Sequence, residues 1–286
     1  HSLDRRQRQM CIRDRSVTEQ QESTSAPCTT SSPMGTTECD GMRQTLLSVG
    51  VVCCLFFSGC LGFATDEEES MRLDVVVNEE LLVLETVYEE GEWISSTIVT
   101  FEFDFSGSTS DVAMQTFGLT MDDGRAASVE ANVQQHISID VEHHGMYTVS
   151  LYAVDSSGTN VSQDMQIVVE HLIHWTESDT GNPQSLYFDA TPGNEGPAPL
   201  YVLLNSTVSN PSPLLEVNGR DVDVEWGVLN ADGKCMGHRE LIENGGSYTW
   251  NTLHFAPIEM HEVELTIHEG QDSVNVDHRI ELRYTE

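Results

Sequence analysis

From Met71 to the C-terminus, short apolar runs alternate with polar turn residues. The runs are rich in Val, Ile, Thr, Tyr and Leu, and Gly, Asn, Asp, Ser and Pro separate them. Within 146–154, Tyr147, Val149 and Leu151 alternate with polar side chains, a period of two that is typical of a half-buried antiparallel strand. The pattern predicts an all-β fold of tandem antiparallel β-sandwiches.

The spacing of these runs gives two sets of predicted strands. The first set is 72–77, 81–88, 97–105, 114–120, 134–141, 146–154 and 162–170. The second set is 185–190, 199–208, 214–217, 221–229, 247–255, 260–268 and 274–284. A polar cluster at 173–183 predicts a boundary, with one sandwich over 71–172 and a second over 173–286. Asn218-Gly219 predicts a hairpin between 214–217 and the strand that contains Val222, Val224 and Trp226.

Three segments of the first half resemble a known surface module. They are FDFSGSTSD (103–111), MDDG (121–124) and HGMYTVSLYAVDSSGTNVSQDMQIVV (144–169). Together they resemble the PKD domain, an immunoglobulin-like module, although Phe117-Gly118 stands earlier than that family's middle motif. The resemblance covers about residues 70–172 and implies an immunoglobulin-like sandwich. Tyr147 is then expected to fix a corner through its hydroxyl, and Asp155 to open a polar turn.

The first 41 residues are expected to lie outside the working protein. RQRQMCIRDR (6–15) resembles translated sequencing-adaptor sequence, and 16–41 is rich in Ser and Thr without a hydrophobic period. A genuine disordered tail is the alternative.

Residues 42–60 have the organisation of an export signal. A short basic segment that contains Arg43 precedes an uncharged apolar run, 46–57, and then Ser58-Gly59-Cys60. The segment resembles the lipobox of prokaryotic lipoproteins, although Phe57 replaces the usual aliphatic residue. The resemblance implies a signal peptide over 42–59, a lipid on Cys60 and an acidic tether over 60–70. An uncleaved transmembrane anchor over 44–65 and plain secretion after cleavage near Ala64 are the alternatives; all three export the same ectodomain.

The charge balance is strongly acidic. Asp and Glu number 47 against 13 Lys and Arg, which gives a net charge of −34. Such a surface repels phosphate backbones, so nucleic-acid binding is excluded. Self-repulsion is small in salty water, and the composition suggests a marine-type prokaryote. Cation binding is the alternative interpretation of the acidic surface.

Candidate sites are few. Asp104, Asp122 and Asp123 could bind Ca²⁺ through oxygen ligands, and no other cofactor is expected. Asn160 and Asn205 begin sequons and are candidate glycosylation sites. The remaining histidines and Cys235 are interpreted as structural. His143 and His144 are expected to point to opposite faces of a strand, and His254, His261 and His268 to lie on the surface. Cys235 forms no intrachain disulfide if Cys60 carries lipid.

The sequence contains no GxSxG, HExxH or GxxxxGK[ST] motif, and the chain is not expected to be an enzyme. We expect a lipid-anchored protein on the extracytoplasmic face of the cell membrane, with an adhesive, binding or structural role towards surface protein or glycan. The alternative is an accessory lipoprotein that presents substrate or glycan to an enzyme or transporter. Aromatic residues concentrate in the second half, and most of them are expected in the core.

Overall fold

A computed structural model describes residues 71–212 and 219–286, which form eighteen β-strands and no helix. The predicted all-β class is therefore confirmed. The strands up to residue 180 are β1 (Met71–Arg72), β2 (Val76–Val77), β3 (Leu81–Glu89), β4 (Glu92–Ser96), β5 (Val99–Asp104), β6 (Thr109–Ser110), β7 (Met114–Met121), β8 (Ala126–Glu130), β9 (His136–Val141), β10 (Gly145–Asp155) and β11 (Asn160–Thr180). The later strands are β12 (Leu186–Asp189), β13 (Tyr201–Ser209), β14 (Val222–Asn230), β15 (Gly233–Ile242), β16 (Ser247–His254), β17 (Met260–Glu269) and β18 (Val274–Arg283).

One large sheet and three smaller ones contain these strands. The large sheet has the order β16-β13-β18-β11-β10-β7-β8, with β3 beside β11 and β4 beside β3. A four-stranded sheet, β12-β17-β14-β15, packs against its later strands, and a three-stranded sheet, β2-β5-β9, packs against its earlier strands. Strands β1 and β6 form a separate pair.

Strand β11 runs through most of the segment predicted as a domain boundary. Its first part pairs with β10 and its last part with β18, both antiparallel. Strand β3 pairs parallel with its other edge, from Val168 to Thr176. The earlier and later strands of the large sheet are thus joined through one continuous strand, and the division of the ectodomain at residue 172 stays a prediction.

The hydrophobic core divides into clusters on either side of β11. Phe101, Phe103 and Leu151 are fully buried in the cluster between the three-stranded sheet and the earlier part of the large sheet. Trp226 and Ile280 are fully buried in the two clusters between the four-stranded sheet and the later part. Each such side chain stabilises the fold by about 1.5–3 kcal/mol through its burial.

The alternation predicted for 146–154 is confirmed. Tyr147, Val149, Leu151 and Ala153 are buried, and the residues between them are partly exposed. The Tyr147 hydroxyl donates a hydrogen bond of 2.9 Å to the carbonyl oxygen of His143, which is the corner contact that was predicted. Burial raises the pKa of Tyr147 to about 12, so the hydroxyl keeps its proton and remains a donor.

The pattern did not predict β4, β6, β8 and β15. Strand β4 ends in two serines, β6 has only two residues, β8 contains two alanines, and β15 begins at Gly233 and contains Gly237, so the apolar run in each is short or broken. Strands β4, β8 and β15 pair with the apolar strands β3, β7 and β14. These segments are therefore extended because they pair with neighbouring strands, and not because their own sequences have a clear strand pattern.

Several predictions fall on residues that the structure does not describe. They are the tail 1–41, the signal peptide 42–59, the lipid site Cys60, the tether 60–70 and the hairpin strand 214–217. Among the residues that are described, none forms a helix long and apolar enough to cross a membrane.

Candidate functional site

The predicted calcium ligands lie in two different parts of the fold, the turn after β7 and the end of β5. Asp122 and Asp123 follow β7, where Arg125 forms an ion pair with Asp123, and Asp122 accepts a 2.9 Å hydrogen bond from the backbone of Thr148. Burial would raise the pKa of Asp123, but its hydrogen bonds with Arg125 lower it below the ordinary value. Asp104 ends β5 in the three-stranded sheet and accepts a bond from Ser106.

Within residues 71–212 and 219–286, no group of three or more His, Cys, Asp or Glu side chains could hold a metal ion. Asp104 is therefore not gathered with Asp122 and Asp123. The two sequon residues, Asn160 at the start of β11 and Asn205 on β13, have exposed side chains. Calcium binding and glycosylation stay predictions.

Two of the three histidines predicted to lie on the surface are buried. His254 and His261 face the core, with ring centroids 5.3 Å apart, and His261 also stacks on Phe188. The prediction was wrong because the registers of β16 and β17 turn both residues inward. His268 is partly exposed and lies 2.8 Å from a carboxylate oxygen of Glu225. His144 is buried as well, and its ring contacts the Tyr284 hydroxyl at 2.8 Å.

Most second-half aromatic residues lie in the core, as predicted, and the exposed ones are Tyr187 and Phe255. On β12, Leu186 and Phe188 are buried while Tyr187 between them is 56% exposed. Its hydroxyl lies 3.3 Å from a carboxylate oxygen of Glu262 on the neighbouring strand β17. One large aromatic ring therefore stands on the outer face of the four-stranded sheet, meaning the face turned away from the core.

An open cavity of about 610 Å³ adjoins Tyr187. Strand β12 pairs only with Met260–Val263, so the chain at 181–185 diverges from β17 and leaves a gap beside Glu264–Ile267. Asn182, Gln184 and Glu264 are among the residues that line it, and the Gln184 amide donates a 3.3 Å hydrogen bond to the carbonyl oxygen of Glu90. Amide and carboxylate side chains donate and accept hydrogen bonds without carrying positive charge.

The centre of the outer face holds a compact charge network. Lys234 and His268 both contact Glu225, at 2.5 and 2.8 Å, and Arg239 donates to Asp223 at 2.9 Å. Hydrogen bonds from Lys234 and then from His268 hold the pKa of Glu225 below its ordinary value. These side chains are partly exposed, and their charges are held in fixed positions on an otherwise acidic surface.

Gly237 on β15 is required by the path of the Lys234 side chain. A Cβ atom at Gly237 would lie 2.5 Å from Cε of Lys234 and 2.7 Å from the carbonyl oxygen of Trp226. The sequence alone did not predict the charge network or the glycines on this face. A pair of glycines in neighbouring strands was the available signal, because strand glycines mark places where another group approaches closely.

No protein-family model matches this chain, and no curated protein matches it. Solved structures resemble it in part. A carbohydrate-binding module of the β-sandwich superfamily is 11% identical, with a TM-score of 0.30 over 77% of this chain and 100% of that one. The fibronectin(III)-like modules of CbhA from Clostridium thermocellum are 14% identical, with a TM-score of 0.24 over 72% and 91%. The SGBP-B protein of a Bacteroides ovatus mixed-linkage glucan utilisation locus, solved with a heptasaccharide, is 13% identical, with a TM-score of 0.19 over 71% and 52%. These TM-scores are too low to carry a function over to this chain.

Proposed function

We propose that this chain is an exported, lipid-anchored surface protein that binds glycan through the outer face of its four-stranded sheet. Tyr187 carries the proposal: it is a large exposed ring beside a cavity lined by amide and carboxylate side chains. An aromatic ring offers an apolar platform for the C–H face of a sugar, and the polar groups offer partners for its hydroxyls.

The charge of the site selects the kind of glycan. Glu262 and Glu264 stand on the same face as Tyr187, and the whole chain carries a net charge of −34. Anionic polysaccharides would be repelled, whereas the hydroxyls of a neutral one can donate to the carboxylates. We therefore expect a neutral glycan.

The remaining parts of the proposal concern presentation at the cell surface. The lipobox-like segment that ends at Cys60 supports attachment to the extracytoplasmic face of the membrane. The first half, with its buried Tyr147 corner, supports an immunoglobulin-like module of the PKD type as the spacer. No catalytic step is included. The same geometry would also serve an accessory lipoprotein that presents glycan to an enzyme or transporter.

Titration calorimetry against a panel of neutral, anionic and cationic oligosaccharides tests the proposal. We expect binding confined to neutral members, with a loss of about tenfold or more in Tyr187→Ala and partial retention in Tyr187→Phe, which keeps the ring. Phe255→Ala is the matched control, because Phe255 is 71% exposed and lies outside the cavity. Absence of binding to every neutral glycan, or equal losses in Tyr187→Ala and Phe255→Ala, would refute it.

A further inference from the structure

Strand β16 lies at the end of the large sheet, and its outer edge pairs with no other strand in the part of the chain that the structure describes. Its inner edge pairs antiparallel with β13 over all eight residues, Ser247–His254, and the register does not shift. An unpaired edge presents backbone donors and acceptors to which a further strand can bind. Strand β16 therefore offers a long and regular edge for such pairing.

The charge of β16 distinguishes it from the other edge strands. None of its eight residues is Asp, Glu, Lys or Arg. Its histidine, His254, is buried, and burial lowers its pKa to about 4, so the ring is neutral at pH 7. The other described edge strands of four or more residues, β4, β8, β9, β12 and β15, each contain a charged side chain. Charges of this kind keep an edge from pairing with another chain, and β16 has none.

Apolar side chains that water still reaches lie along the same edge. Leu253 near the end of β16 is 43% exposed, and Phe255 directly after the strand is more exposed still. On the face of β16 that is turned towards the four-stranded sheet, Tyr248 and Trp250 are partly exposed, and both stack on His238 of β15. A strand added to this edge would therefore cover apolar surface as well as backbone groups.

The charge of the whole chain indicates which partner fits this edge. Two copies of a chain with a net charge of −34 repel each other over most of their surfaces, and an uncharged strand is where they can meet with the least repulsion. A two-fold axis sets the same strand of both copies opposite itself, so β16 alone supplies both sides of the contact. A basic partner would instead be attracted to the acidic surface away from β16.

We propose that β16 is a dimerisation strand: two copies of this chain pair their β16 strands antiparallel, and their large sheets join into one continuous sheet. The proposal does not depend on glycan binding. The Tyr187 cavity lies beside β12, at the opposite end of the four-stranded sheet from β15, so each dimer would present two such cavities. Because the contact is uncharged and the remaining surfaces repel, salt should strengthen the dimer.

Sedimentation equilibrium of the full chain measures the dissociation constant of the dimer. Reducing buffer and a mild detergent prevent the cysteines and the apolar run 46–57 from linking the copies. Asn251→Glu places a carboxylate at an exposed position near the centre of β16, where like charges of the two copies would meet. We expect it to raise the dissociation constant about tenfold or more. Gln163→Glu, at an exposed position on the early part of β11, makes the same change in net charge and is the matched control.

Hydrogen exchange at protein concentrations above and below the dissociation constant locates the contact, and circular dichroism reports whether each variant folds. We expect the backbone amides of β16 to exchange more slowly in the dimer. A wild-type chain that stays monomeric at high protein concentration and high salt would overturn the proposal. Equal dissociation constants for Asn251→Glu and Gln163→Glu, or a dimer whose β16 amides exchange as fast as those of the monomer, would also overturn it.

Discussion

Acidification should destabilise this protein well above the pH at which its carboxylates titrate. His278 is fully buried, and burial lowers its pKa from the ordinary 6.5 to about 4. Burial likewise lowers the pKa of His171 and of His254 to about 4, with neighbouring histidines adding to the effect. Between pH 6.5 and 4 the unfolded chain binds protons at these sites that the folded chain does not, so stability is lost as the pH falls.

The size of the loss follows from the width of this window. One pKa unit corresponds to about 1.4 kcal/mol, so each histidine removes about 2 kcal/mol between pH 7 and pH 5. Three of them together remove about 6 kcal/mol, a large share of the roughly 5–15 kcal/mol that stabilises a typical domain.

Denaturant unfolding followed by tryptophan fluorescence, at several pH values and constant high salt, measures this loss. High salt screens the repulsion among exposed carboxylates, which would otherwise change with pH. His278→Asn removes one titrating group and keeps an acceptor near Ser206, so its loss between pH 7 and pH 5 should be smaller by about 2 kcal/mol. A free energy of unfolding that is flat from pH 7 to 5, or an unchanged slope in His278→Asn, would refute the reasoning.

Two further predictions concern the core and the anchor. The Ser206 hydroxyl accepts from the indole of buried Trp226 and lies 2.7 Å from Nδ1 of His278, so Ser206→Ala should cost about 3 kcal/mol by leaving both unpaired. Thr207→Ala, whose hydroxyl bonds on the exposed side, should cost under about 1 kcal/mol in the same denaturation assay, and equal costs would contradict this account. In a lipoprotein-processing host, Cys60→Ser should abolish both the added lipid mass and the partitioning into membranes; identical fractionation of mutant and wild type would contradict the anchor.

The fold class was predictable because it depends on local periodicity, whereas the candidate site depends on register. The alternation in β10 fixes which side chains are buried, and Tyr147 followed from it. In β12, Leu186 and Phe188 alternate with Tyr187 and Asp189, so the outward face of Tyr187 could be read from the sequence, whereas the cavity beside it could not. That cavity depends on how far β12 pairs with β17, which is remote in sequence.

The pair of glycines under the Lys234 side chain was beyond sequence reasoning for a related reason. Gly227 and Gly237 become neighbours only through the pairing of β14 with β15, and a register shift lies between Val228 and Leu229. A shift of one residue reverses the face of every later side chain. For the same reason His254 and His261 were wrongly predicted to lie on the surface, since the face that each occupies depends on the strand with which it pairs.

Strand β11 belongs to both halves of the ectodomain, so it limits how the chain can have been assembled in evolution and where it can be cut into fragments. A module that ends between strands can be moved by recombination as a closed unit, but a cut near residue 172 would divide β11. Each fragment would then keep half of a strand and expose backbone groups where β10, β18 and β3 now pair. The ectodomain should therefore be inherited, and engineered, as one piece.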